Sequence, residues 1–270
     1  VVEQTRRHLA VAALLKVPHV VVAVNKIDLV DFSAEVYART AEQIERVAAA
    51  LGVADAHVLP TSALAGDNVV ERSGRTPFYN GPALLELLES LPADSTQADR
   101  ALRLPVQLVI RPQSAAAEGL TDYRGYAGRI SAGAVELGDD VVVLPSGRRT
   151  TVTGINLGAR PVPAARAGQS VSLELADDID IARGDLIAAG HDLPPLVREI
   201  EAHVAWLSER PLHARDRVLV KHGARTVRAL VASIEGVLEL DDLAISPADE
   251  LALNDIGRLR LRLAEPLPAA

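Results

Sequence analysis

The sequence predicts an α/β segment followed by an all-β segment: the C-terminal part of a doubly wound sheet, then two small β-barrels. Three observations predict it. Residues 1–92 alternate helical patterns with short apolar runs, the texture of parallel α/β units. Residues Pro92 to Ala101 are polar and uncommitted, as a linker is. After Ala101 the chain becomes short β-rich runs punctuated by glycine, as in small barrels.

The elements follow in order. A helix is expected from Glu3 to about Lys16. His19 to Val24 is a continuous apolar, β-branched run without alternation, as expected of a parallel strand buried on both faces. A second helix spans about 34–51, with Ser33 as N-cap and Gly52 as C-cap. Its Val36, Ala41, Ile44, Val47, Ala48 and Leu51 fall on one face. A strand at 56–60 leads into a polar loop, 65–80. A helix at 82–91 carries Leu84, Leu85, Leu87, Leu88 and Leu91, which read as a core stripe. Strands are then expected at 104–110, 126–132, 141–144, 151–157, 170–175 and 186–188. A second junction falls at His191 to Pro195. Further strands follow at about 198–206, 216–221, 226–236, 237–240 and 257–263. The expected domains are 1–94, 101–192 and 195–270, with 113–121 a loop inserted on the rim of the first barrel.

Composition removes several classes of function. With 270 residues, the chain is long enough for two or three cored domains. Its net charge of −8 and lack of a basic block argue against nucleic acid as the primary ligand. The sequence has no cysteine, so disulfides and thiolate chemistry are absent. The histidines show no metal-ligand spacing. No run has the length of a membrane span and the start lacks a signal-peptide layout, so a cytoplasmic protein is expected. There is also no methionine, and the chain opens inside a helix pattern. We therefore expect a piece cut from something longer.

The chemistry concentrates at Asn25-Lys26-Ile27-Asp28, which closes the apolar run and matches the guanine-specifying pattern N-K-x-D. Such a tetrapeptide is also an ordinary polar turn, so its position matters. It lies at the C-terminal end of a parallel strand, where open α/β sheets bind ligands. Guanine presents two adjacent donors, its ring N–H and its exocyclic amine, and the Asp28 carboxylate can accept both. Adenine would leave that carboxylate partly unsatisfied, a cost of roughly 1–3 kcal/mol. Lys26 would lay its stem over the base and Asn25 would brace the loop. Lys26 is one of three lysines among 28 basic residues, with Lys16 and Lys221. Thr61-Ser62-Ala63-Leu64 follows the next strand at strand–helix–strand spacing. There the Ala63 N–H could face the guanine carbonyl and the Ser62 hydroxyl could hold Asp28.

The Gln-Thr-Arg-Arg-His helix, Asn-Lys-Ile-Asp, the Thr-Ser-Ala-Leu loop and two barrels together resemble the translation-factor-like GTPases. Gly125 to Gly133, Gly138-Asp139 and Ile181 to Leu186 resemble that superfamily's second domain. Within it, the chain is most similar to the GTPase subunits of ATP sulfurylase. The stretches that carry this are Asn25 to Asp31, Ser62 to Val69 with Gly81-Pro82, Asp122 to Gly128, and Leu253 to Gly257. The resemblance implies the C-terminal part of a P-loop GTPase domain. It implies guanine binding by Asn25, Lys26, Asp28, Ser62, Ala63 and Leu64, and GTP with Mg2+ as the nucleotide. It also implies a catalytic adenylyltransferase subunit as partner, with GTP hydrolysis driving adenylylsulfate synthesis from ATP and sulfate. In some relatives an adenylylsulfate kinase domain follows the second barrel, here after Ala270. No membrane or nucleic-acid partner is expected. The phosphate loop, switch threonine and Asp-x-x-Gly strand end that hydrolysis needs are missing from these residues. Mg2+ ligands are therefore expected upstream of Val1, and the segment alone is expected to hydrolyse no GTP. Two alternatives stand beside this reading: a tRNA-binding elongation factor of the same superfamily, and a non-enzymatic scaffold with a dead half-site.

Overall fold

The computed structural model describes residues 2–92, 99–112, 123–240 and 242–269. The expected insertion at 113–121 lies outside them, as does most of the linker. The chain forms two compact units. One comprises Val1–Ala93, Glu201–Ala214 and Ser233–Leu259; the other comprises Asp94–Ile200, Arg215–Ala232 and Arg260–Ala270.

The α/β part of the first unit runs α1 (Glu3–Leu14), β1 (Val20–Val24), α2 (Ala34–Ala50), β2 (Ala56–Pro60) and α3 (Leu84–Ser90). β1 and β2 pair in parallel, from Val20 opposite Ala56 to Val24 opposite Pro60. Both longer helices stop with the same device. Lys16 and Gly52 take left-handed backbone (φ 52° and 76°), and the next N–H returns to the carbonyl five residues back, Val17 to Ala12 and Val53 to Ala48. The Ser33 hydroxyl caps α2 by accepting from the Val36 N–H at 3.3 Å. Ala41, Ile44 and Ala48 form the buried face of α2.

Two expectations fail here. β1 is only half-buried and Ala23 is exposed. Among the described residues it also has a single strand neighbour, β2. The leucine stripe of α3 is also not a core stripe, because Leu87 is buried while Leu85 and Leu88 are 43% and 52% exposed. A seven-residue helix makes two turns and presents only Ala83 and Leu87 inward.

The second unit holds β3 (Arg103–Pro105), β4 (Leu108–Ile110), β5 (Gly125–Arg129), β6 (Ala134–Glu136), β7 (Asp140–Leu144), β8 (Arg148–Leu157), β9 (Arg160–Pro161), β10 (Ala164–Arg166), β11 (Ser170–Leu175) and β12 (Leu186–Ala189). Eight of them form one sheet in the order β3-β12-β7-β8-β11-β5-β4, with β9 on β8. Hydrogen bonds from Arg103 N–H to Ala132 and from Ser131 N–H to Arg103 tie β3 to the segment just after β5, near the far end of the sheet, which curls it closed. Leu104, Val106, Tyr126, Ile130, Val143, Ile155, Leu173 and Ile187 fill the interior. The Tyr126 hydroxyl, buried among them, donates to the Ile179 carbonyl at 3.1 Å. The single strand expected at 104–110 is two, because the chain changes partner midway. Val106 N–H bonds to Asp185 and Gln107 N–H to Ala127.

The remaining strands are β13 (Leu196–Ala205), β14 (Leu212–His213), β15 (Arg217–His222), β16 (Arg225–Leu238), β17 (Ile245–Ser246), β18 (Glu250–Leu251) and β19 (Ile256–Pro268). Their sheet runs β13-β19-β16-β15 with β17 on β16, and β14 pairs with β18. β13, β16 and β19 each contribute residues to both units. β16 is one 14-residue strand where two were expected. Gly236 sits where a Cβ would lie 2.6 Å from the Ser246 carbonyl oxygen, so glycine lets β17 approach. Along β19 the alternation Leu259, Leu261, Leu263 buries one face. No helix among the described residues is long and apolar enough to cross a membrane.

Candidate functional site

The loops after β1 and β2 are tied together at their bases. Thr61 N–H donates to the Val24 carbonyl at 3.0 Å and Ile27 N–H donates to Thr61 at 3.2 Å. Ile27, 1% exposed, plugs the space beneath. Above it the chain turns sharply. Lys26, Asp31 and Phe32 all take left-handed backbone, with φ of 63°, 49° and 53°. Each such non-glycine residue costs about 1 kcal/mol or more, so the surrounding bonds must hold the turn. Asn25 supplies two of them. Its Oδ1 accepts the Lys26 N–H at 2.8 Å and the Ala63 N–H at 3.0 Å.

Asp28 stands in the first turn of a 3-10 helix, Ile27–Val30, half-buried at the mouth of these loops. Among the described residues its carboxylate has no hydrogen-bond or ion-pair partner. A half-buried carboxylate left free at the mouth of two loops is suited to a ligand with paired donors. The Lys26 side chain is exposed beside it.

The second loop differs in detail from the expectation. Ser62 is fully buried, and its hydroxyl accepts from the Ala65 N–H at 3.3 Å, within its own turn. The Ala63 N–H is taken by Asn25. Leu64 projects outward, 93% exposed. The six predicted residues thus lie on two adjacent loops joined through Asn25, with Ser62 facing into its own loop.

Beneath them is a polar network that the sequence reading passed over as a plain polar loop. Asp67, 7% exposed, pairs with the Arg75 guanidinium and accepts from the Ser73 hydroxyl at 2.6 Å. The Ser73 hydroxyl and the Arg75 guanidinium hold the Asp67 carboxyl below the usual carboxylate range. Asn68, 1% exposed, spends its amide on the Pro60 carbonyl and Thr76 and accepts from the Ser73 N–H. Ser62 N–H also bonds to the Asp67 carbonyl, so this network fixes the Ser62–Leu64 loop from below. Arg75 stacks over the Phe32 ring at 4.4 Å, joining it to the first loop. No periodicity marks such a network. The only signal was an Asp-Asn pair followed by Ser, Arg and Thr within one loop. Among the described residues, no group of three or more histidine, aspartate or glutamate side chains is placed to hold a metal.

Residues 1–97 match the Elongation factor Tu GTP binding domain, and residues 199–270 match the GTP-eEF1A C-terminal domain-like family. The bifunctional enzyme CysN/CysC of Mycobacterium tuberculosis (strain ATCC 25618 / H37Rv) is 43% identical over 270 residues, covering 98% of this chain. Sulfate adenylyltransferase subunit 1 of Laribacter hongkongensis (strain HLHK9) is 40% identical over 265 residues, again covering 98% of this chain. This chain is a relative of sulfate adenylyltransferase subunit 1. The chain spans 43% and 54% of the length of those two relatives. In three dimensions it matches the crystal structure of Sup35 complexed with GMPPNP, with a TM-score of 0.55 and 23% identity, over 99% of this chain and 66% of that one. At that identity the likeness speaks for the fold alone. The expected class, α/β followed by all-β with small barrels, is the class observed.

Proposed function

We propose that this chain supplies the guanine-reading loops and the two barrels of a GTPase subunit of sulfate adenylyltransferase. That subunit couples GTP hydrolysis to adenylylsulfate synthesis from ATP and sulfate, in the cytoplasm. The observation that carries the reading is the free Asp28 carboxylate on an Asn25-braced turn, in a chain related to subunit 1 across 98% of its length. In this reading Asp28 accepts both guanine donors, Lys26 covers the base, and Asn25 locks the Ser62–Leu64 loop against the first. GTP would arrive with Mg2+, and no hydrolytic step is assigned to the described residues. The partner is a catalytic adenylyltransferase subunit. The bifunctional relative supports a further kinase region in the same polypeptide. The division at 1–94, 101–192 and 195–270 is retained as the functional division of the chain.

The test is GTP turnover by the full-length protein with the adenylyltransferase subunit, measured with ATP, sulfate or both withheld. Turnover that rises only when subunit, ATP and sulfate are all present is the expected result. Turnover indifferent to all three would overturn it and favour a translation-factor role.

A further inference from the structure

The hairpin β15–β16 carries an unusual outer face. Among the described residues β15 is the last strand of its sheet, bonded on one side only. Across the hairpin Arg217 stands opposite Leu230, Leu219 opposite Arg228, and Lys221 opposite Thr226. Residues in such register lie about 5 Å apart on one face. Val227, Ala229 and Val231 turn to the interior, so this set looks outward. Arg217, Lys221 and Arg228 are exposed, and among the described residues none has an ion-pair or hydrogen-bond partner. Leu219 is 71% exposed between them. Arg217, Leu219, Arg228 and Leu230, with Arg262 and Ala264 of β19 beside β16, line a shallow groove of about 610 Å³, and Lys221 stands next to it on the same face.

Two features need explaining. The chain carries a net charge of −8, yet three unpaired cations share one small face, where like charges repel. Edge strands are often guarded by charge, but guarding gives no reason to expose a leucine at the centre. Cations ringing an apolar floor complement a surface of opposite charge with an apolar anchor, the pattern of a protein interface with a central contact and a charged rim. A phosphate backbone would have no use for the leucines, and the net charge of the chain opposes it.

We propose that this face docks an acidic protein surface whose apolar side chain seats on Leu219 and Leu230, and that the adenylyltransferase subunit carries that surface. The identity of the carrier rests on the function proposed above; the chemistry of the face does not.

The experiment measures binding of the adenylyltransferase subunit to the full-length protein at low and high salt, comparing wild type with Arg217→Glu/Arg228→Glu and with Leu219→Ser. Guanine-nucleotide affinity and the melting temperature of each variant are recorded alongside. The double charge reversal is expected to weaken subunit binding at least about tenfold and to flatten its salt dependence. Leu219→Ser is expected to weaken binding without changing the salt dependence. Nucleotide affinity should stay at the wild-type value in both. Should the double variant fail to fold, Arg217→Gln and Leu219→Ser carry the same test. If wild type binds the subunit and the variants bind it equally well, the docking face is refuted and the functional reading stands. If wild type does not bind the subunit at all, both fall. A structured RNA probe that loses affinity for the variants while the subunit does not would make this a nucleic-acid face and overturn the proposal.

Discussion

Asn25 and Ala63, 38 positions apart, are joined by one hydrogen bond from the Ala63 N–H to Asn25 Oδ1 at 3.0 Å. That bond links the loop after β1 to the loop after β2, and the same oxygen also pins the Lys26 N–H. Asn25 is therefore a positioning residue for the turn that presents Asp28. Replacing it with alanine removes both bonds, worth about 1 kcal/mol each. We expect Asn25→Ala in the full-length protein to lose roughly tenfold in GTP affinity, one tenfold step being 1.4 kcal/mol. Its melting temperature should fall by only a few degrees, about what two such bonds are worth. Titration with a fluorescent guanine nucleotide checks this, and unchanged affinity would count against the bracing role.

Asp28→Asn tests the base contact itself. The amide keeps one acceptor and gains a donor, which suits the 2-carbonyl of xanthine better than the 2-amine of guanine. GTP affinity is expected to fall roughly 10- to 100-fold, as loss of a charge-assisted bidentate contact implies. Xanthosine triphosphate affinity should rise over wild type. Competition between the two nucleotides on the same variant measures the switch directly, and an unaltered preference for guanine would remove Asp28 from the site.

How much of this was legible in the sequence follows from what leaves a periodic trace. β1, α2 and β2 were found within a residue or two, because an apolar run, a capped amphipathic repeat and Gly52 are local signals. Asn25 and Asp28 were legible because their chemistry is confined to four consecutive residues. The Asp67–Arg75 pair and the buried Asn68 amide were not, since each satisfies groups that only folding brings near. Leu85 and Leu88 misled for the opposite reason. Helical spacing shows which residues share a face and not whether anything covers it. Two strands were expected at 226–236 and 237–240 where β16 is one, because sequence cannot separate a turn glycine from one such as Gly236 that admits a neighbouring backbone.

Acid should loosen the first unit through two carboxylates. Asp55 lies between His19 Nδ1 at 2.5 Å and His57 Nε2 at 2.8 Å, and the hydrogen bond with His19 is the main reason its carboxyl sits below the usual range. Asp67 is held low by Ser73 and Arg75. A carboxyl depressed in the folded state stabilises it above the unfolded pKa of about 3.9, and that stability is lost as pH falls through the lower folded value. Melting temperature against pH should therefore drop below about pH 4 from these two groups and not above it. Asp55→Asn/Asp67→Asn should melt lower than wild type at neutral pH and lose less on acidification. A variant whose acid drop equals that of wild type would show that other groups govern it.

Gly128 tests the barrel of the second unit. It is buried in β5, and a Cβ there would lie 2.3 Å from the Pro105 carbonyl oxygen, which is backbone and cannot swing aside. Relief requires β3 and β5 to part, disturbing the closure that runs from Arg103 to Ala132. Overpacking of this kind costs roughly 1–3 kcal/mol or more. Gly128→Ala is expected to lower the melting temperature by at least several degrees, since about 1 kcal/mol moves a domain of this size by a few degrees. Gly74→Ala serves as the control: nothing lies within 4 Å of its added Cβ, so the alanine should be nearly neutral. Equal melting temperatures for the two variants would mean that the β3–β5 approach is looser than the structure has it. A fall confined to Gly128→Ala would tie the glycine to close backbone packing.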